Sequence, residues 1–537
     1  MSFQENVMLD VAIVGGTIVD GTGEPSYPAD IGISGDKIEI IGDLSNVKAR
    51  RIIDATGMSV SPGFIDTHTH SEGALLEDPQ HANAIRQGIT TLFLGIDGMS
   101  YAPLSAKNYL MYRHWLSGLL GNPPKDIDMS TVEAFRSNYH KKVSVNTAYL
   151  VPHGTVRLET VGFRDVPLVG DDLLSAERLV KEGIEQGAVG FSTGSNYYYP
   201  GAWGDTDELI SLCRIVQQAG FVYMCEPRRA NPERAFGNGG VKEGIEIARR
   251  SGVKLHFAHY RTSPETAGQI DDLVGEIDDA KAEGLDVTFD IYPYPTGSSI
   301  IIRLLPSFAQ DGGPDSILRR LKDPSDRSRI INYLENEYKS QDRGLAATVI
   351  SYCPANPDLE GMSLYDIAET RNISMATALL DILLETNLEV GYVIPPPASV
   401  GLWRQVSEDI MNLLSREDYM VCSDITPAGT MPHPRSYGAF PRILGRLRRQ
   451  FDVMTLPQVI QRMTDNPARR FGLKNRGRIE SGYYADLVVF DAEHVIDTAT
   501  YDDPRQYPIG IPYVLVNGKI AVDDELCTGV FAGWAVP

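Results

Sequence analysis

A His68-Thr69-His70 triplet follows the stretch SPGFID, and four more ionisable side chains each stand at the end of another apolar run. Asp97 ends TTLFLGID, Glu226 ends FVYMCE, His259 ends KLHFAH and Asp424 ends YMVCSD. Residues two apart on an extended strand project to the same side, so His68 and His70 can reach one ion. Without a cation, carboxylates gathered with these groups would repel one another and take up protons. Any single member has a blander reading, of lesser weight, as a helix N-cap or a surface acid. Together they read as a divalent metal centre, whose chemistry is the activation of water and the polarisation of a carbonyl.

The elements that must position these groups show in the periodicity. Helical stretches with one apolar face, such as DDLLSAERLVKEGIEQG and DTDELISLCRIVQQAG, alternate with short buried-strand runs such as AVGFST and FVYMCE. The expected strand ends fall at Thr193, Glu226, His259 and Tyr292, each 33 residues after the last. That is the length of one βα unit, and a run of them implies a parallel sheet. GFIDTHTH, TTLFLGID, VNTAYLVPH and YMVCSD bring the strands to eight. Eight βα units suggest a barrel with its chemistry at the carboxyl ends of the strands. The rival, an open doubly wound sheet, would carry a GxGxxG turn, and GGTIVDGTG lacks that spacing.

Residues 1–60 and 475–537 read as β-structure, with Gly35-Asp36 and Asn517-Gly518 as hairpin turns. The expected fold is therefore α/β: a TIM (β/α)8 barrel over 61–474, with a small β-sandwich built from both chain termini. Residues 300–415 break the rhythm and read as an insertion between strands seven and eight. It either covers the barrel mouth or stands apart as an exposed subdomain.

Composition narrows the function further. With 42% hydrophobic residues, the chain can bury a large core rather than stay disordered. A net charge of −22 disfavours nucleic acid and anionic membrane surfaces as partners. No stretch approaches the roughly 18 apolar residues that span a bilayer. The amino end, with Glu5 and Asp10 and no basic leader, does not resemble a secretory signal. Cys213, Cys225, Cys353, Cys422 and Cys527 form no CxxC and no disulfide frame, so a reducing, cytoplasmic setting is expected. A homo-oligomer is left open.

The stretches SPGFIDTHTH, GITTLFLGIDG, PHGTVR, GAVGFSTGSNYYYPGA, FAHYRTS, DIYPYPTGSS, CSDITPAGTMPHPRSYGAFPRILG, TDNPARRFGL and RIESGYYADLVVFD together resemble the amidohydrolase superfamily, in particular its D-aminoacylase branch. The resemblance runs over nearly the whole chain and implies a TIM barrel joined to a small β-sandwich. It also implies metal-dependent hydrolysis of a C–N amide bond in a small carboxylate-bearing substrate, an N-acyl-D-amino acid or a related amide. By it, His68, His70 and His259 are metal ligands, and Asp424 is the catalytic acid/base beside the metal. Arg435 and Arg261 would grip the substrate carboxylate, and Tyr292 and Ser298 would contact that carboxylate or the scissile carbonyl. The implied cofactor is a divalent metal, zinc by expectation, as one or two ions.

Two positions depart from the branch. Asp97 stands where cysteine is usual and Glu226 where histidine is usual, so both replacements offer hard carboxylate oxygen. Cys225 is one residue from Glu226, and neighbours on a strand face opposite sides, so its thiol is expected to pack outside the barrel. Asp97, Glu226 and Asp424 with a hydroxide bring four negative charges, which two divalent ions would balance; the count favours two. A cyclic-amide hydrolase is the alternative, weakened because Gly190, Phe191, Ser192 and Thr193 leave no lysine at the fourth strand to bridge metals. A barrel without catalysis is the third reading. Tyr197, Tyr198, Tyr199 and Trp203 either line a substrate pocket or pack under its rim. His153 either faces the site or packs beneath a loop, and His81 is expected on a helix or the surface.

Overall fold

The computed structural model describes residues 8–196, 198–338, 344–426 and 429–537. Eight parallel strands form its centre: β1 (Phe64–Asp66), β2 (Ile89–Leu94), β3 (Asn146–Tyr149), β4 (Gly190–Gly194), β5 (Val222–Glu226), β6 (Lys254–Phe257), β7 (Val287–Ile291) and β8 (Tyr419–Val421). Val151–Pro152 continues β3 past Leu150 and pairs with β4, whereas β3 itself pairs with β2. Each neighbour in space is the neighbour in the chain, through to β7 beside β8. Strand order never reverses, which removes the doubly wound alternative. Beyond the strand ends, Asp424 N donates to His68 O at 2.9 Å and His70 N donates to Ile425 O at 2.9 Å, joining the first and last strands' extensions. The fold is a TIM barrel.

Strands are apolar because both faces are covered. In β2 every residue is buried. Helices Asp171–Glu185, Thr206–Gln218 and Gly240–Ser251 lay their Ala176, Val180, Leu209, Leu212, Ile245 and Ile247 faces on the sheet. This is the amphipathic pattern of a half-buried helix.

The two chain ends meet outside the barrel. Met8–Val14, Asp30–Ser34, Lys37–Gly42 and Lys48–Asp54 form a four-stranded sheet. Ser59–Pro62 and Thr17–Ile18 instead join Leu487–Phe490, Tyr513–Val516 and Lys519–Asp523 in a seven-stranded sheet. Ile13, Ile31, Ile33, Val60, Leu487 and Leu515 make the shared core. Both hairpin turns form where the sequence places them, with Ser34 opposite Lys37 and Val516 opposite Lys519. Gly35 and Gly518 take the positive φ that those turns require.

Between β7 and β8 lie a three-stranded antiparallel sheet of Ser298–Ile300, Val349–Tyr352 and Gly391–Val393, and several helices. The charged stretch from Pro314 forms helices Gly313–Lys322 and Pro324–Glu337. Val400–Ser415 returns the chain to the barrel and packs on β8.

Candidate metal centre and its cavity

The six ionisable groups read from the sequence converge, although most stand beyond the strands rather than in them. β1 ends at Asp66, β2 at Leu94, β6 at Phe257 and β8 at Val421, so His68, His70, Asp97, His259 and Asp424 lie on the extensions that follow. Glu226 alone is the last residue of its strand. The same-face rule for strand residues therefore does not place His68 and His70. They are placed by the extended backbone that pairs Thr69 with Ile425. His68 and His70 face each other edge-on with ring centroids 5.2 Å apart.

Backbone conformation aims three of the remaining candidate ligands. Asp97, His259 and Asp424 have φ of 54°, 35° and 54°, in the left-handed region that side-chain-bearing residues rarely adopt. Each such residue costs about 1–3 kcal/mol and persists where its surroundings over-determine it. At Asp97 the fit is close: a Cβ on Gly194 would lie 2.2 Å from the Asp97 carbonyl oxygen.

Asp97 Oδ2 is the hub. It lies 3.3 Å from His68 Nε2, 3.5 Å from His70 Nε2 and 4.0 Å from His259 Nε2. Asp424 Oδ1 is 3.3 Å from His70 Nε2 and 3.8 Å from His68 Nε2, and Glu226 Oε1 is 3.8 Å from His259 Nε2. Donors bound at about 2.0–2.1 Å to one tetrahedral ion sit about 3.3 Å apart, so the shorter spacings suit a shared cation. Two such groups overlap at His68: one with Asp97 and His259, the other with His70 and Asp424. Both ring nitrogens of His68 and Oδ1 of Asp97 are buried without a hydrogen-bond partner. Buried polar atoms normally find one, and a cation would satisfy these. The donor set fits a divalent metal.

The charges are mutually perturbed. Burial opposes charge on His68, yet Asp97 and Asp424 outweigh it and push the ring up to about 10. Burial and the Asp97 charge raise Glu226 to about 8, although Asn196 Nδ2 donates to its Oε1 at 2.9 Å. Asp424 is buried too, but Arg435 holds its carboxyl well below the usual range. His259 is lowered by burial and by His68.

Beside the centre opens a cavity of about 830 Å³, lined in part by His259, Arg261, Tyr292, Ser298, Asp424 and Arg435. Two guanidiniums lie over the Tyr292 ring, Arg261 at 4.4 Å and Arg435 at 4.7 Å from its centroid. Arg261 Nη2 donates to the Tyr292 hydroxyl at 2.7 Å. Arg435 Nη1 pairs with Asp424 Oδ2 at 2.7 Å, and its Nη2 donates to Ser298 Oγ at 3.2 Å. Tyr333, Tyr338, Leu345 and Tyr392, from the segment between β7 and β8, line the far wall.

Other expectations resolve differently. Tyr199 lines the cavity, whereas Trp203 packs beneath it, with Nε1 donating to Ser307 Oγ at 2.9 Å. Tyr198 is buried against Ser299. Tyr197 lies outside the described residues. His153 does not reach the centre; its Nε2 is 2.6 Å from Glu208 Oε1, in a buried network with Arg157. His81 is not at the surface but buried, with Ser71 Oγ 3.2 Å from its Nε2. Cys225 packs by helix Gly240–Ser251 near Gly244, and burial pushes its thiol up to about 12.

Several residues escaped the sequence reading. Asn196 supports Glu226, and Asp66 and Asp290 lie buried beneath the ligands. A signal existed for both aspartates, since a carboxylate inside an apolar strand run requires a partner.

Comparisons with known proteins show what the chain is similar to. Residues 400–522 match the model of the Amidohydrolase family. An N-acyl-D-glutamate deacylase of Alcaligenes xylosoxydans xylosoxydans is 34% identical over 511 residues, 95% of this chain and 93% of the relative. A D-aminoacylase of the same organism is 30% identical over 549 residues, 99% of this chain and 98% of the relative. The solved N-acyl-D-glutamate deacylase of Bordetella bronchiseptica, complexed with zinc and a phosphonate inhibitor, is similar with a TM-score of 0.80 and 30% identity, covering 99% of this chain and all of that one.

Proposed function

Because the chain belongs to the D-aminoacylase family of metal-dependent amidohydrolases, we propose that its substrate is an N-acyl-D-amino acid, bound by its carboxylate and hydrolysed at the amide. The observation that carries this reading is the pair of arginines packed over Tyr292 on the cavity wall next to Asp424. Two guanidiniums at the mouth of an acidic ligand cluster suit an anionic substrate that must lie beside carboxylates without being repelled.

His68, His70, Asp97, Glu226, His259 and Asp424 would hold one or two divalent ions, zinc being the expected metal. When bound, such an ion is a Lewis acid that polarises the amide carbonyl and makes water acidic enough to attack near neutral pH. Asp424 is the acid/base. Its Oδ2 is fixed by Arg435, which keeps the carboxylate ionised and ready to accept a proton from the attacking water. It then returns that proton to the departing nitrogen. Arg435 and Arg261 orient the substrate carboxylate, with Ser298 Oγ and the Tyr292 hydroxyl completing the polar wall. Tyr199, Tyr338 and Tyr392 add aromatic surface to the cavity that would receive the rest of the substrate.

The test is hydrolysis of a panel of N-acetyl-D- and N-acetyl-L-amino acids and cyclic imides by the metal-loaded enzyme, with Asp424→Asn as control. Turnover confined to D-substrates, lost in the variant by about 10²–10⁴-fold while metal is retained, is the expected outcome. Turnover of cyclic imides alone, or a fully active Asp424→Asn enzyme, contradicts the proposal.

A further inference from the structure

Two buried carboxylates lie directly beneath the ligand cluster and do not line the cavity. Asp290, in β7, accepts three hydrogen bonds, one from β6 and two from the segments that follow β1 and β6. The His259 backbone N–H donates to Oδ1 at 2.5 Å, and Thr67 Oγ1 lies 2.8 Å and His256 Nε2 3.0 Å from Oδ2. His256 is held in turn by Thr288, whose Oγ1 is 2.8 Å from Nδ1. Asp66, the last residue of β1, does the same across the β1–β8 junction. Its Oδ1 accepts from Ser423 N at 2.9 Å and from His68 N at 3.3 Å, and its Oδ2 accepts from Ser423 Oγ.

These bonds share a target. They fall on His259 itself, on Ser423 immediately before Asp424, and on Thr67 and His68. His259 and Asp424 are two of the three ligands with left-handed backbone, the conformation that needs an outside hold. An ionised carboxylate such as Asp290 is suited to the task because its two oxygens only accept, and its bonded partners are an N–H, a hydroxyl and an imidazole. An amide in place of Asp290 would turn an NH₂ toward at least one of these donors.

We infer that Asp290 and Asp66 are positioning residues for the metal centre, fixing the backbone of His68, His259 and Asp424 in the geometry that binds the ion. This rests on the reading of the cluster as a metal site. Outer partners that orient ligands typically control metal affinity by about 10–100-fold. The same hold makes the His259 and Asp424 side chains converge before any ion arrives.

The experiment measures metal dissociation by chelator competition, with zinc as the probe, for wild type, Asp290→Asn and Thr67→Val. Thermal melts of the metal-free proteins are recorded beside it. Asp290→Asn is expected to weaken binding by about 10–100-fold, and Thr67→Val, which removes one hydroxyl of similar volume, by a smaller factor. The rise in Tm on adding metal should shrink in the same order. Metal affinities unchanged in both variants, with only the metal-free Tm lowered, would mean a structural role and overturn the inference. Should Asp290→Asn not fold, the Thr67→Val affinity decides alone. Wild type that binds no zinc would instead refute the metal-site reading itself, so the two failures are distinguishable.

Discussion

Metal uptake must displace protons from this cluster, and the structure indicates how many. In the metal-free chain Glu226 is raised to about 8, by burial and by Asp97, and His68 to about 10, where its neighbouring carboxylates overcome burial. His259 is lowered by burial and by His68, so it is not one of the groups that hold a raised proton. A cation therefore competes with two protons below about pH 8 and with one between about pH 8 and 10. The logarithm of the apparent association constant should rise by about two per pH unit in the first range and by about one in the second. Affinity would climb about 50-fold from pH 7 to 8, short of 100-fold because Glu226 is already half ionised at about 8. Stability follows with the same sign. Glu226 is raised above its ordinary value of 4.5, so its contribution to the metal-free fold is full below that value and lost as pH rises through about 8. His68 behaves alike from 6.5 through about 10. Asp97 and Asp424 are lowered, so their contributions fade only on acidification below the ordinary carboxylate range, outside this window. The Tm of the metal-free protein should fall between about pH 7 and 9 while that of the metal-bound protein holds, widening the gap. Chelator competition across that range, corrected for the chelator's own protonation, is the assay. In Glu226→Gln, which has no such proton to lose, the slope should be about one throughout. A wild-type affinity flat from pH 7 to 9 would refute the reasoning.

Arg435→Ala removes both a substrate contact and the partner of Asp424, so it should raise KM and also lower kcat, with a combined loss in kcat/KM of about 10–100-fold. The acid limb of its pH–rate profile should move upward, because Asp424 loses the cation that holds its carboxyl down; steady-state kinetics across pH checks both. Cys225→Ser should leave metal stoichiometry and turnover within about twofold of wild type, since the thiol packs by Gly244 and away from the ion; elemental analysis checks it.

Much of the centre was legible because burial makes ionisable groups conspicuous. His68, Asp97, Glu226, His259 and Asp424 each follow an apolar run, and the regular interval from Thr193 to Tyr292 exposes the βα rhythm behind them. The strand limits were less legible. β6 and β8 stop short of their ligands because His259 and Asp424 turn into the left-handed region, and no residue type signals that turn here. The ion pair between Arg435 and Asp424 was hidden as well. From the sequence, Arg435 reads as a substrate grip alone, and only the fold brings its Nη1 to 2.7 Å from the carboxylate. The role of Asp66 and Asp290 stayed out of sight for the same reason, since their partners are backbone N–H groups and hydroxyls on other strands. The division of the amino-terminal strands between two sheets could not be read from the sequence, because it is set by which partner strand each one meets in the fold.

The bond between Ser423 and Asp66 spans 357 positions of the chain. During translation, His68 and His70 leave the ribosome long before Asp424 exists. A nascent fragment ending anywhere before β8 holds only part of the proposed donor set, so on that proposal full loading waits until β8 has been made. Premature termination upstream of that strand yields a product without the complete set of donors, whatever share of the barrel it has assembled.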